Sequence, residues 1–186
     1  MTIDQLRNTS IGHWESIAVE VRPTKNADGT LKPFYLRRDF TLLPEDRFEL
    51  VVTNYSDPFG KMPLAKMFIK GHIQWLGEHL IAAGAQKVDF AADEEYTVTP
   101  LLQGFADLLN QYTKGFDEWK VGEPQSIFKK AFAPFGLAEG QIFKEYDLIY
   151  VLNDMMFWGA RNVDGRGFDK EENRPPNLQI PMVRQK

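Results

Sequence analysis

The stretch FYLRRDFTLLPEDRFELVVTNY, residues 34–55, decides the predicted fold. It contains two runs rich in aromatic and β-branched residues, which are separated by a short polar break at residues 45–46. In the second run, Phe48, Leu50 and Val52 recur at every second position, which is the period of a strand with one buried face. Two such runs joined by a short break predict a hairpin at the start of an antiparallel meander.

Further strand candidates lie on both sides of this stretch. They span residues 12–22, 64–76, 87–91, 96–99, 146–152, 155–160 and 178–184. In the first of them, Ile17, Val19 and Val21 are expected to share one face, and Gly71 in the longest one is expected to mark a bulge or bend. An antiparallel sheet of this size commonly closes into a barrel, and about eight strands can hold one small ligand.

Two segments have the apolar period of a helix instead. The first is residues 101–112, with Thr99 as its expected N-cap and Pro100 as its expected first residue. The second is residues 127–135. We therefore predict a mainly β protein: a single antiparallel β-barrel domain over residues 1–186, with one or two short helices inserted between the later strands.

Composition narrows the possible functions. The chain has 43% hydrophobic and 26% charged residues, which is typical of a globular domain. Its net charge of −4 disfavours nucleic acid as a partner, because phosphate binding needs a basic surface. The absence of cysteine excludes disulfides, thiolate metal sites and a cysteine nucleophile.

The first residues and the length of the apolar stretches indicate the expected cellular location. The first ten residues, MTIDQLRNTS, include Asp4 and no apolar run, so they do not resemble a secretory signal. No stretch reaches the roughly 18 apolar residues of a transmembrane helix. A soluble, cytoplasmic protein without a transmembrane segment is therefore expected, and its oligomeric state is left open.

The order of short motifs along the chain resembles that of one known family. The motifs are GHWES at 12–16, VEVRP at 19–23, LRR at 36–38, YSDP at 55–58, VDF at 88–90, VTP at 98–100, WKVG at 119–122, EYDL at 145–148, GAR at 159–161 and LQIPMV at 178–183. This succession resembles the domain of the adenomatosis-polyposis-coli down-regulated family, whose members are membrane-anchored animal Wnt antagonists with two lipocalin-like barrels. This chain differs in having one domain and no cysteine.

The resemblance implies a lipocalin-like (calycin) barrel and, with it, a cavity for a lipid or acyl-like ligand. It also gives Gly12 and Trp14 an architectural role, because lipocalin-like barrels use a G-x-W motif in which the Trp closes one end. In such barrels a late-strand arginine lies over the Trp, and Arg161 and Arg184 are the candidates here.

Strand alternation selects the candidate ligand-binding residues. Arg37 and Arg38 must point to opposite faces, so Arg38 is proposed to enter the cavity and bind an anionic head group. The alternative is one surface arginine and one arginine in an ion pair at the rim. The full set of candidate ligand-binding residues is Trp14, Arg38, Phe40, Met67, His72, Trp75, Phe90, Tyr150, Met156 and Trp158.

A catalytic use of the same cavity would need an acid or base. Glu15 and Glu20 lie in an early strand, and burial would raise the pKa of whichever one faces inward. If the protein is an enzyme, the candidates are Glu15, Arg38 and His72. The chain has no G-x-S-x-G or phosphate-binding glycine motif, and its three histidines do not predict a metal site, so no cofactor or metal is expected.

Three functions remain open from the sequence. The first is non-covalent binding of a hydrophobic or amphipathic small molecule, lipid-like or acyl-like, in the barrel. The second is an isomerase or cyclase that uses the same cavity. The third is a structural or interaction module with a filled barrel. The same residues serve all three interpretations, so fold alone does not separate them.

Overall fold

A computed structural model describes residues 2–186 and confirms a mainly β fold with ten antiparallel strands in one sheet. The strands are β1 Gly12–Ser16, β2 Glu20–Lys25, β3 Leu31–Leu42, β4 Arg47–Tyr55, β5 Pro63–Glu78, β6 Gln86–Pro100, β7 Gln125–Ser126, β8 Lys144–Leu152, β9 Met155–Trp158 and β10 Met182–Arg184. The two α-helices are α1 Ile3–Ser10 and α2 Gln103–Tyr112.

Eight of the strands form a closed ring. The order is β1-β10-β9-β8-β6-β5-β4-β3, and β1 closes it by pairing with both β3 and β10. Trp14 in β1 lies opposite Phe40 on one side and Arg184 on the other. Outside the ring, β2 pairs with the first part of β3, and β7 pairs with β6. Closure gives each ring strand a neighbour on both sides and so leaves the ring without a free edge.

The two predicted hairpins are confirmed. Strands β3 and β4 meet around residues 43–46, and Phe48, Leu50 and Val52 all face the core. Strands β8 and β9 turn at residues 153–154. The polar segment after β9 is a long loop, as expected, and the Arg174 guanidinium fixes it to the barrel by donating hydrogen bonds to the backbone oxygens of Val88 and Asp147.

Gly71 marks the predicted irregularity in β5. The pairing register between β5 and β6 shifts next to it, between Lys70 and His72. The backbone of β6 comes so close that a Cβ at Gly71 would lie 1.8 Å from the carbonyl oxygen of Ala91. The strands can pass each other here only because position 71 has no side chain.

Several predicted boundaries are wrong. Helix α2 begins after Leu102, so Thr99 and Pro100 are not its cap and first residue but belong to β6. Residues 87–91 and 96–99 are parts of the same continuous strand. The predicted second helix at 127–135 is absent from the structure of residues 2–186, and this region contains only a three-residue 3-10 helix, Ala133–Phe135. Ile127 donates its backbone N–H to Tyr96 of β6, which continues strand pairing where a helix was expected.

The helix α1 was not predicted, although its sequence carries a capping box. The Thr2 hydroxyl accepts a hydrogen bond from the backbone N–H of Gln5, and the Gln5 side chain accepts one from the backbone N–H of Thr2. Neither helix among residues 2–186 is long and apolar enough to cross a bilayer.

Helix α1 closes one end of the barrel through Trp14 and Arg184. The fully buried indole of Trp14 donates its N–H to the carbonyl oxygen of Ser10, at a distance of 2.8 Å. The Arg184 guanidinium carbon lies 4.1 Å from the centroid of the Trp14 ring, and Arg184 also donates to the carbonyl oxygen of Ile11. Gly12 leaves the space for this arginine, because a Cβ there would lie 2.6 Å from Arg184 Nη1. The end that carries these contacts is called the closed end below.

Substitution of Gly71 tests how tightly β5 and β6 approach. We expect Gly71→Ala to lower the free energy of unfolding by about 1–3 kcal/mol or more, because the added methyl overlaps a backbone carbonyl. Gly104→Ala in α2 is the matched control, since no neighbouring atom lies within 4 Å of its added methyl, and a change within about 1 kcal/mol is expected. Urea unfolding measures both values, and equal stabilities would contradict the proposed close approach.

Candidate functional site

The barrel contains a cavity of about 450 Å³ at the end opposite α1. Its walls are mostly apolar and come from strands β2 to β6 and β8 and from the loops after β7 and β9. The apolar lining residues are Phe34, Leu36, Leu50, Val52, Met67, Ile69, Tyr96, Pro134, Phe135, Phe143 and Phe168. Burial raises the pKa of Tyr96, so its hydroxyl stays neutral at physiological pH.

Below this cavity the barrel is filled by aromatic rings. Phe40, Phe48, Phe90 and Trp158, which we call the aromatic floor, are all buried. The centroids of the Phe40 and Trp158 rings are 4.6 Å apart, and so are those of Phe90 and Trp158. The free space beside the aromatic floor is about 10 Å³, which is room for about one water molecule. The barrel is therefore hollow in one half and packed in the other.

A buried ion cluster, formed by Ser16, Glu20, Arg22 and Arg38, lies on the β1–β3 wall. Glu20 accepts hydrogen bonds from Arg38 Nε at 2.9 Å, from Arg22 Nη2 at 2.9 Å and from the Ser16 hydroxyl at 2.9 Å. The side chains of all three charged residues are at most 6% exposed. Burial alone would raise the pKa of Glu20, but Arg38 and Arg22 outweigh it and lower the pKa to about 2. Glu20 is therefore ionised and holds both arginines in place.

The buried ion cluster leaves one hydrogen-bonding group unpartnered beside the cavity. Arg38 lines the cavity, and no residue within 2–186 supplies an acceptor for its buried Nη2. Two more cavity-lining groups have unpartnered atoms of the same kind, namely the Oδ1 of Asn54 and the Nε of Arg161. Buried polar atoms in proteins are nearly always hydrogen-bonded. These three buried atoms therefore lack the partners that such atoms usually have, and all three belong to residues that line the cavity.

Two acidic residues lie on β8, where Glu145 lines the cavity and Asp147 is fully buried. The Oδ1 of Asp147 accepts backbone N–H groups from Leu148 and Gly159, whereas nothing in the described chain donates to its Oδ2. Burial, with repulsion from Glu145, raises the pKa of Asp147 to about 7, although the arginines of the buried ion cluster act in the opposite direction.

The structure brings five of the ten candidate ligand-binding residues to the cavity or its floor. Arg38 and Met67 line the cavity, and Phe40, Phe90 and Trp158 belong to the aromatic floor. Arg37 is exposed and Arg38 is buried, so the two arginines face opposite sides as predicted. Arg38 is also in an ion pair with Glu20, as the alternative expected, although that pair is buried.

The other five candidates lie elsewhere. Trp14 and Met156 are buried outside the cavity lining, Trp14 at the closed end, and Trp75 donates its indole N–H to Asp46 beside α1. Tyr150 packs against Phe157 on the outer face of the sheet. His72 is on the outer face too, because its even position in β5 alternates with the inward residues 67, 69 and 73, and it contacts Asp93.

The candidate catalytic trio is not assembled. The side chains of Glu15 and His72 are 48% and 46% exposed, whereas Arg38 is buried in the barrel. Of Glu15 and Glu20, which the sequence left open, Glu20 is the one that faces inward. Ile17 and Val21, which were expected to share a face with Val19, are more than half exposed, and Glu20 and Arg22 occupy the inward positions.

Other functional positions were missed by the sequence analysis. Arg22, Asn54, Arg161, Glu145 and Phe168 line the cavity but were not selected. For β2 the sequence did contain a signal. Trp14 and Ser16 of β1 occupy even, inward positions, and the inward positions of β2, Glu20 and Arg22, are also even. For the loop residues Arg161 and Phe168 no periodic pattern exists, since loops do not alternate.

His13, Glu15 and Asp39 meet on the outer surface, with one ligand atom from each lying within 4.8 Å of the others. His13 Nε2 is 2.7 Å from the carboxylate of Asp39. The three side chains are 39–51% exposed, so they form a solvated cluster of charged groups.

Comparison of the chain with protein-family models and with curated proteins finds no match. The family resemblance therefore stays a prediction. The interpretation of the site rests on its own geometry.

The buried ion cluster is testable by removing its central charge. Glu20→Gln leaves two buried guanidinium groups without their anion, and we expect a loss of about 3–5 kcal/mol in the free energy of unfolding. Glu15→Gln, on the exposed side of β1, should change it by no more than about 0.5 kcal/mol. Chemical denaturation compares the two variants, and similar losses would show that Glu20 does not hold the arginines together.

The raised pKa of Asp147 predicts an unusual pH dependence. Between about pH 4 and pH 7 the folded protein keeps this carboxyl protonated while the unfolded chain does not, so the free energy of unfolding falls as pH rises through this window. Asp147→Asn should flatten this fall. Asp154→Asn, an exposed control whose ion-pair partner Arg184 does not titrate in this range, should leave it unchanged. Thermal unfolding at pH 5, 6, 7 and 8 measures the slopes, and an unchanged slope in Asp147→Asn would refute the assignment.

Proposed function

We propose that this protein binds a small amphipathic molecule with an anionic end, such as an acyl-like carboxylate, in the barrel cavity. The observation that carries the proposal is the buried, unpartnered Nη2 of Arg38, a residue that lines a mostly apolar cavity. An apolar body would contact the walls, and an anionic group would complete the hydrogen bonding of the guanidinium.

The apolar walls supply most of the expected affinity. Burying roughly 200 Å² of apolar ligand surface, at about 25 cal/mol per Å², contributes about 5 kcal/mol before the cost of association. A volume of about 450 Å³ lies within the range of known small-molecule sites. The packed half of the barrel adds nothing to this, because the aromatic floor leaves no room there.

Arg38 would set the orientation of the bound ligand. Its Nε is fixed by Glu20, and its guanidinium carbon lies 4.6 Å from the centroid of the Trp158 ring, so the direction of its free amino group is set before any ligand arrives. A hydrogen bond between a guanidinium and a carboxylate is short and strong, and a preorganised donor loses little entropy in forming it. The cavity also contains Glu145, so attraction depends on this particular donor and not on a general positive charge.

The contacts at the closed end are consistent with the family resemblance. Gly12, Trp14 and Arg184 are arranged as the G-x-W motif and late-strand arginine of lipocalin-like barrels would be. The cavity of this chain lies at the opposite end of the barrel from these contacts. No comparable observation favours the enzyme alternative, because Glu15 and His72 lie outside the barrel.

Displacement of a fluorescent probe tests the proposal. Anilinonaphthalene sulfonate should bind saturably and be displaced by decanoate, and more weakly by decanol, which lacks the charge. Arg38→Met should weaken decanoate binding about 10- to 100-fold, because a hydrogen bond to a charged group is lost. Arg37→Met, one position away but exposed, should bind like the wild type.

Two results would contradict the proposal. One is a wild-type protein that does not bind the probe saturably. The other is a folded Arg38→Met variant, verified by circular dichroism, that binds decanoate as tightly as the wild type does.

A further inference from the structure

We infer that the protein docks on anionic lipid bilayers through the rim of the barrel at the end opposite the closed end. This surface, which we call the docking rim, consists of the β2–β3 hairpin and the loop between β4 and β5, with the first residues of β5. Its apolar residues are Val21, Leu31, Phe59 and Met62, and its basic residues are Lys25, Lys32, Lys61 and Lys66. Docking of this kind is separate from ligand binding in the cavity and goes beyond the proposed function.

The parts of the docking rim are neighbours because of the way the strands run. Residues 43–46 between β3 and β4 line a cleft with α1, so this turn lies at the closed end. The opposite ends of the same two strands, Leu31 of β3 and Tyr55 of β4, therefore lie at the other end of the barrel. The loop that follows Tyr55 also reaches the start of β2, since a Cβ at Gly60 would lie 2.9 Å from a methyl group of Val19. Hairpin and loop thus form one surface.

The docking rim exposes apolar side chains that lie outside the core. Phe59 and Met62 in the loop, and Val21 and Leu31 on the hairpin, are 54–75% exposed. Val21 and Leu31 also line an open, mostly apolar depression of about 300 Å³ on the hairpin. Apolar side chains gathered in one exposed place are typical of a surface that meets a membrane or a partner.

The basic residues of the docking rim have no acidic partners. All four lysines are exposed, and none of them forms an ion pair within residues 2–186. Lys61 instead lies over the ring of Phe59, with its Nζ 5.9 Å from the ring centroid. A positive group and an apolar group therefore stand side by side in the loop.

The two acidic residues in the turn of the hairpin and in the loop are bound by neighbouring groups. Asp28 accepts hydrogen bonds from the backbone N–H and the hydroxyl of Thr30. Asp57 accepts them from the backbone N–H groups of Phe59 and Met62, and so fixes the loop that presents both side chains. Two carboxylates against four lysines leave an excess of positive charge, which complements an anionic surface.

An anionic bilayer fits this combination better than a folded protein partner does. Lysine ammonium groups can reach anionic head groups while neighbouring apolar side chains enter the interface, and neither contact needs a fixed geometry. A protein partner would be recognised by side chains held in place, whereas no hydrogen bond within residues 2–186 orients these lysines. The docking rim also adjoins the apolar cavity, because Arg22 and Phe34 of the same hairpin line it.

Co-sedimentation with vesicles tests the inference. The wild type should bind vesicles of an equimolar mixture of phosphatidylcholine and phosphatidylserine, and should not bind vesicles of phosphatidylcholine alone. Binding should be largely lost in about 0.5 M salt, because salt screens the attraction between lysines and head groups.

Two variants of the docking rim separate its apolar part from its charge. Phe59→Ser should weaken binding to the mixed vesicles about tenfold, because the ring no longer enters the interface. Lys61→Gln should weaken it about fivefold, which is the usual effect of one basic residue near an anionic surface.

Each variant has a matched control. Leu80→Ser removes a fully exposed apolar side chain from the loop after β5, at the closed end, and should bind vesicles like the wild type. Lys120→Gln removes a lysine that already pairs with Glu118 and should do the same. Circular dichroism verifies that all four variants fold.

Vesicle binding that needs phosphatidylserine and falls only in the variants of the docking rim supports the inference. Failure of the wild type to bind the mixed vesicles at low salt overturns it, as does equal binding to phosphatidylcholine alone or undiminished binding by the folded Phe59→Ser and Lys61→Gln variants. Binding to polyglutamate without binding to vesicles would indicate an acidic protein partner and overturn it too. Decanoate displacement on the same proteins reports on the cavity, so failure of the proposed function would be seen separately.

Discussion

Closure of the sheet at β1 is the constraint on which the rest of the structure depends. Because β1 pairs with β3 on one side and β10 on the other, one face of every ring strand points into a shared interior. At the closed end that interior is sealed by Trp14, held between Arg184 and the last turn of α1. An enclosed cavity can exist toward the other end only because this closure is complete, so the cavity and its buried charges follow from it.

The fold could be predicted from the sequence to a considerable extent, and particular residues show why. Alternation in β4 gave the correct inward set of Phe48, Leu50 and Val52, because those positions obey the rule that apolar residues face the core. In β2 the rule failed, since Glu20 and Arg22 face inward and Val21 faces solvent. A strand with a buried ion cluster inverts the usual pattern, and apolarity alone cannot reveal that inversion.

The helices show a different limit of prediction from sequence. The apolar period at 127–135 predicted a helix, yet pairing of Ile127 with Tyr96 in β6 prevailed over the local pattern. Helix α1 was detectable from the capping box at Thr2 and Gln5, a signal only four residues long. For the site, strand parity found Arg38 and Met67, whereas Arg161 and Phe168 arrive from a loop whose path depends on tertiary contacts. Local sequence therefore predicts which face of the sheet a strand residue occupies. It does not predict which loop residues will line the cavity.

The buried ion cluster is difficult to explain by stability alone. Moving Glu20, Arg22 and Arg38 out of water has a desolvation cost that their mutual attraction offsets only with good geometry, and apolar side chains of similar volume are often at least as stabilising. The other half of the same barrel demonstrates such a filling in its aromatic floor. One half is thus packed with rings, while the other keeps a charged wall in which one guanidinium has a buried, unpartnered amino group. That asymmetry is expected of a barrel that holds a polar end of a guest molecule, and it is not expected of one that only supports itself.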